Sequence, residues 1–276
     1  MTFTEIADRV WVGRHEWFDI NVTAIGGERG LVVVDTLGSG ADGVRLRAEL
    51  APLGEVHAVV NTHWHFDHTF GNSAFDGVPI HAHETAAIEL NDGFESIVQR
   101  YRDDADDPHR DDVIATELVA PTETFSSVRL IGLGDRVVEL LHPGRAHTAG
   151  DLIVHIADAG VILAGDLVEE SAPPSYGDDS WPLEWPLALD MVLGLSNRET
   201  TIVPGHGAVV DRDFVEEQRA QIGIVAETIR DLAGRGVPEG LALASADWPF
   251  PAESLGSAVR RAYAHLPRAQ KRLPLI

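Results

Sequence analysis

Apolar and polar positions fall into short blocks along the first third of the chain. Val10-Trp11-Val12 and Asn21-Val22-Thr23-Ala24-Ile25 read as strands, and Gly26-Gly27 starts a turn into the apolar run Leu31-Val32-Val33-Val34. From Ala41 to Leu50 the spacing lengthens to that of an amphipathic helix, ended by Pro52 and Gly54. Val56-His57-Ala58-Val59-Val60 reads as a buried strand and Val78 to Ala82 as another. A helix is expected around Ala86 to Tyr101, followed by an acidic loop. Val128 to Leu141 reads as two strands joined at Gly132-Leu133-Gly134-Asp135, and Asp151 to Ile156 with Val161 to Leu163 as a hairpin-like pair. Thr201-Ile202-Val203 is a last strand. Asp213 to Leu232 carries helical spacing (Phe214, Ile222, Val225, Ile229) and ends near Gly234, and Ala258 to His265 reads as a final helix. Two strand-rich halves fit a two-sheet sandwich, with no internal sequence repeat. The expected division is a main domain over 1–235, with 236–276 as a C-terminal helical extension of the same domain.

Composition bounds the class. A chain of 276 residues, 44% hydrophobic and without low-complexity tracts, can bury one large core. The stretch Met1 to Arg9 has no apolar signal core, and no run is long enough to span a membrane, so the expectation is a soluble, cytoplasmic protein. A formal net charge of −23 disfavours nucleic acid, because polyphosphate would be repelled. The expected partner is a small-molecule substrate, with no nucleic acid and no membrane, and the C-terminal extension could form a homodimer contact. With no cysteine, disulfides and thiolate ligands are removed from consideration.

The candidate chemistry starts at His63-Trp64-His65-Phe66-Asp67-His68, directly after a strand-like run. Imidazoles with a carboxylate suit zinc, iron or manganese better than calcium or magnesium. In extended chain, alternate side chains point the same way, so His63 and His65 can grip one ion. Asp67 and His68 lie where the chain should turn and can face a neighbouring site. Three later segments end strand-like runs with a further donor: Gly144-Arg145-Ala146-His147, Val161-Ile162-Leu163-Ala164-Gly165-Asp166 and Thr201-Ile202-Val203-Pro204-Gly205-His206. A lone histidine after a strand is more often structural than a ligand. The four segments in this order are far more specific.

The motif His63-x-His65-x-Asp67-His68, followed by His147, Asp166 and His206, resembles the metallo-β-lactamase fold superfamily over about Val10 to Asp211. The resemblance implies an α/β (α+β) chain folded as a four-layer αββα sandwich, with metals at one edge. It implies that His63, His65 and His147 hold a first ion, that Asp67, His68 and His206 hold a second, and that Asp166 bridges both. Asp35, at the end of Leu31–Val34, would orient the ligand loop rather than bind metal. The implied cofactor is two divalent ions, zinc first, with iron or manganese as the other candidates. The implied reaction is hydrolysis, by a hydroxide between the metals, of an ester, lactone, thioester or β-lactam carbonyl. Asp67 either orients the nucleophile and shuttles a proton or serves as a ligand only.

Departures from known branches narrow the resemblance. Absence of cysteine excludes the cysteine-ligated β-lactamases, and Asp166 points to branches resembling glyoxalase II and the quorum-quenching lactonases. Those lactonases carry a tyrosine where this chain has Glu169. Lys271, the one lysine, offers little grip on glutathione. Two other readings stand beside the hydrolase: an iron-dependent oxidoreductase of the same fold, resembling persulfide dioxygenases, and a metal-binding scaffold without catalysis. Tyr176, Trp181 and Trp185, in the proline-rich stretch Ser171 to Pro186, either bind substrate or plug the edge of the sandwich. Glu84 to Thr124 could roof the site or be plain surface. His81 and His83 share a strand face and could be outer groups or inert. His15, His57, His109, His142, His155 and His265 have no constellation around them.

Overall fold

The computed structural model describes residues 3–266, so Lys271 and the end of the expected C-terminal extension lie outside the described residues. The first half runs β1 (Thr4–Ala7), β2 (Val10–His15), β3 (Ile20–Gly27), β4 (Gly30–Val34), α1 (Gly40–Leu50), β5 (Val56–Val60), α2 (Phe66–Thr69), β6 (Ile80–His83), α3 (Glu84–Asp103), α4 (Arg110–Ile114) and β7 (Glu123–Phe125). The second runs β8 (Val128–Gly132), β9 (Val137–Leu141), β10 (Ile153–Ile156), β11 (Val161–Glu169), α5 (Trp185–Leu195), β12 (Thr201–His206), α6 (Arg212–Gly234), α7 (Glu239–Ala242) and α8 (Gly256–His265). The ladder order is β7-β6-β5-β4-β3-β12-β11-β10-β9-β8, with β2 and β1 added beside β3. β3 and β12 meet at one residue pair, Ile20 with His206. The ladder is therefore two sheets hinged at a single corner.

Strand alternation explains why the sheets stack. Val32 and Val34 of β4 point into one buried cluster with Ala58, Val60, Val154, Val161, Leu163 and Val203, the filling between the sheets. Their neighbours Leu31 and Val33 point the other way, onto Leu46 and Leu50 of α1. In β11 the same alternation sends Ile162 and Ala164 outward to α5, α6 and α8, against Leu189, Val225 and Ala258. The result is a four-layer αββα sandwich, as expected. No described helix is long and apolar enough to cross a membrane.

Several elements differ from expectation. β1, which the pattern of apolar positions does not predict, pairs antiparallel with β2. Gly26 and Gly27 stay in the ladder opposite Leu31 and Gly30, so the turn is at Glu28-Arg29. α5 starts inside the proline-rich stretch, because Pro186 sits in its first turn, where a missing amide proton costs nothing. β11 does not stop at Asp166 but continues to Glu169, with the register against β12 broken on both sides of Gly165. Gly165 has φ +51°, which aims Asp166 away from the regular pleat.

Candidate metal centre

All the donor candidates collect at one end of the sandwich. His63 and His65 follow β5 in a loop bent at Thr62, His63 and Trp64, not in the extended chain expected of them, and Phe66 then opens the short helix α2, which turns Asp67 and His68 inward. His147 comes from the turn before β10. That turn is held by Asp151, whose carboxylate accepts hydrogen bonds from Thr148 N (2.9 Å) and Thr148 Oγ1 (2.7 Å). Asp166 comes from the kinked β11 and His206 from the end of β12.

Each imidazole has its outward nitrogen engaged. His147 Nδ1 donates to Ser175 O (3.0 Å) and His206 Nδ1 to Phe18 O (2.7 Å). Carbonyl oxygens only accept, so in the neutral rings the lone pair must be on Nε2. His65 Nε2 donates to Asp179 Oδ2 (3.0 Å) and His68 Nδ1 to Asp35 Oδ2 (2.8 Å). Thr62 Oγ1 donates to Asp35 Oδ2 (2.8 Å), so it accepts from His63 Nδ1 (3.1 Å). The inward atoms are then His63 Nε2, His65 Nδ1 and His147 Nε2 on one side, and His68 Nε2 and His206 Nε2 on the other. His147 Nε2 lies 2.9 Å from His65 Nδ1, and His68 Nε2 lies 3.3 Å from His206 Nε2. Asp166 joins the two sides, with Oδ2 3.4 Å from His147 Nε2 and 3.3 Å from His206 Nε2, and Oδ1 3.2 Å from His68 Nε2. Asp67 Oδ2 is 3.5 Å from His206 Nε2.

Lone pairs facing one another at this range repel unless a cation sits among them. His63 Nε2 and Asp166 Oδ1 are buried without a hydrogen-bond partner. His63, His65, His147 and Asp166 form one group whose donor atoms lie within 4.8 Å of one another, and Asp67, His68 and His206 form a second. The donor set fits divalent ions, and all seven residues named from the sequence fall in these two groups. Burial, then the nearby His68, pushes His63 well below the ordinary imidazole value, and burial takes His147 down to about 4. For His206 burial and the nearby His68 both lower the ring, but Asp166 together with Asp67 outweighs them, raising it to about 9. Asp35 touches His68 and Thr62 and sits behind the ligand loop.

Two further carboxylates, outside the seven donors, lie near the cluster. Asp179, far along the chain, accepts from His65 and from Trp64 Nε1 (2.7 Å). Burial opposes its charge, but the His65 contact outweighs that and holds its carboxyl below the usual range. No local pattern marks it; the acidic pair Asp178-Asp179 looks like surface. Glu169 is buried, and burial together with Asp166 raises its carboxyl to about 7.

The cluster floors a groove of about 850 Å³. Ser96, Ile97 and Arg100 of α3 form one wall, so the stretch after Glu84 does border the site. Trp64, Phe66, Ser171, Ser175 and Asp179 form much of the rest. Tyr176, Trp181 and Trp185 are not in the groove lining. Trp185 is fully buried behind His147, 5.5 Å from its ring, and donates through Nε1 to Leu167 O. Tyr176 packs on Trp185 with centroids 5.0 Å apart. Trp181 stacks between His265 of α8 and the Arg145 guanidinium. These rings close the sandwich edge because their large apolar faces have helices α5 and α8 to cover. His83 stacks on His142, and His81 sits at the β6–β7 edge; neither belongs to the donor groups.

Comparison with known proteins agrees with this geometry. Residues 15–211 match the family model described as the metallo-beta-lactamase superfamily. A metallo-beta-lactamase type 2 from Bacillus cereus is 25% identical over 232 residues, covering 78% of this chain and 80% of that protein. An acyl-coenzyme A thioesterase from Gallus gallus is 27% identical over 194 residues, covering 66% of this chain and 69% of the relative. Among solved structures, a metallo-beta-lactamase from Pontibacter korlensis aligns with TM-score 0.63 at 20% identity, over 80% of this chain and 98% of that one. With a complete donor cluster at the strand ends of an αββα sandwich, and a family match over most of its length, the chain belongs to the metallo-beta-lactamase superfamily.

Proposed function

We propose that this protein is a metal-dependent hydrolase that cleaves the carbonyl bond of an ester, lactone, thioester or β-lactam in a small molecule. The observation that carries the reading is the pair of donor groups on the floor of one groove, with the Asp166 carboxylate against imidazoles of both. His63, His65 and His147 would hold one divalent ion and Asp67, His68 and His206 another, zinc being the first candidate. Ions held there would supply Lewis-acid activation of water and of the substrate carbonyl near neutral pH.

The chain's own residues do the rest. Asp67 lies both among the donors and in the groove wall, so its carboxylate can orient the attacking water and take up its proton. Asp35 and Asp179 hold His68 and His65 in the tautomers that leave the inward nitrogens unprotonated. Trp64, Phe66 and Ile97 give the groove apolar surface for the acyl portion. The net charge of −23, with acidic groups in the groove, supports a small molecule over a nucleic acid. Two relatives, a metallo-beta-lactamase and an acyl-coenzyme A thioesterase, carry names that concern carbonyl substrates, which supports the same class.

The test is a panel of lactones, thioesters, aryl esters and β-lactams, with metal-loaded and chelator-treated protein. Turnover of at least one class is expected, lost on chelation and restored by divalent metal. Asp67→Asn is expected to lower kcat by about 10²–10⁴-fold. Full metal occupancy without turnover of any class would overturn the hydrolase reading.

A further inference from the structure

Glu169 ends β11 next to the cluster, and several independent contacts fix it there. Its backbone is clamped by the buried Gln218 of α6: Glu169 N donates to Gln218 Oε1 (3.1 Å), and Gln218 Nε2 donates to Glu169 O (2.6 Å). In the β11–β12 ladder Glu169 is opposite His206. One carboxylate oxygen, Oε1, accepts from Ser171 N (3.2 Å) and Ser171 Oγ (2.7 Å). Those bonds fix the carboxylate while leaving Oε2 uncommitted. Glu169 offers an oxygen within 4.8 Å of the donor atoms of both Asp166 and His206. It is 6% exposed, and beside it Asp166 Oδ1 is buried without a hydrogen-bond partner.

A buried carboxylate held this firmly against another carboxylate is costly unless a cation lies between them. We infer that Glu169 is a further ligand of the second metal position, making that position oxygen-rich and selective for a harder ion than the first. The inference rests on the metal-dependent reading of the site. The first position would have three imidazoles and the shared Asp166. The second would draw on two donor groups that overlap at His206: Asp67 and His68 with it in one, and Asp166 and Glu169 with it in the other. Imidazole-rich sets suit zinc, while carboxylates shift preference towards manganese. The two positions are therefore unequal, with zinc favoured in the first and Mn²⁺ tolerated best in the second.

The test uses the full chain stripped of metal and titrated with Mn²⁺ alone, then with Zn²⁺ alone. Bound Mn²⁺ is read by its electron paramagnetic resonance signal and zinc by competition with a chromophoric chelator. Glu169→Gln keeps an oxygen for Ser171 and does not touch the backbone clamp, so the fold should persist. It is expected to weaken Mn²⁺ binding at least about tenfold while leaving the first equivalent of zinc unchanged. Glu169→Asp, which withdraws the carboxylate by one methylene, should do the same and serves if the amide variant does not fold. Equal Mn²⁺ affinity in wild type and both variants would overturn the assignment of Glu169 alone. A wild type that takes up neither ion would overturn this assignment and the hydrolase reading together.

Discussion

At the residue scale, the centre is organised by what stands behind the imidazoles. Asp179 shows this most clearly, because it holds His65 without belonging to either donor group. Asp179→Asn is expected to weaken metal affinity about 10–100-fold with little change in melting temperature; chelator competition measures the first and calorimetry the second. Unchanged affinity would mean that His65 keeps its orientation without this contact. Glu89 on α3 gives a pH-dependent prediction. Burial first, and then the charge of Asp179, raise its carboxyl to about 7 from 4.5, and Glu89 Oε2 is buried without a partner. The folded chain then holds this proton more tightly than the unfolded one. The stabilising contribution is present at acid pH and is lost as the pH rises from 4.5 through about 7. Glu89→Gln should match wild type in melting temperature near the acid end of that window and exceed it above the upper end. Equal melting temperatures at both ends would contradict the assignment. The donors themselves were legible in the sequence because five histidines and two aspartates sit at strand exits with diagnostic spacing. Of their supports Asp35 was named beforehand and is found against His68; the others were not legible, because two are backbone carbonyls, Ser175 O and Phe18 O, and Asp179 is distant in sequence from the residue it holds.

At the element scale, β11 and β12 approach so closely that side chains are excluded at one point. A Cβ on Gly205 would overlap Asp166 Oδ1. Gly205→Ala should therefore displace the shared carboxylate. The expected result is loss of one equivalent of bound metal with a smaller loss of stability, about 1–3 kcal/mol. Full metal content in that variant would show that Asp166 can bind from another rotamer. The sequence placed Asp166 at a strand end, whereas β11 continues past it to Glu169. The reason is the left-handed Gly165, which breaks register without ending the strand, a device that composition does not separate from an ordinary turn. The helix α5 was hidden for a similar reason: prolines and tryptophans before it read as loop, although Pro186 suits a first helical turn.

At the scale of the molecule, the layers were legible because alternating apolar positions dictate which face of each strand is buried. What alternation cannot say is which aromatic rings close the edges. Trp185 lies fully inside the layer between β11 and the outer helices. Trp185→Ala should destabilise the fold by about 3–5 kcal/mol and leave the order of preference across a substrate panel unchanged. A reordered panel with intact stability would return this ring to the substrate site. Elemental analysis decides whether the end of the sandwich is a two-ion centre built on Asp166. The purified chain would be grown with zinc, iron and manganese each supplied in turn. Wild type should hold two divalent ions per chain and Asp166→Ala fewer. No bound metal under any supply, or equal content in the two proteins, would contradict it.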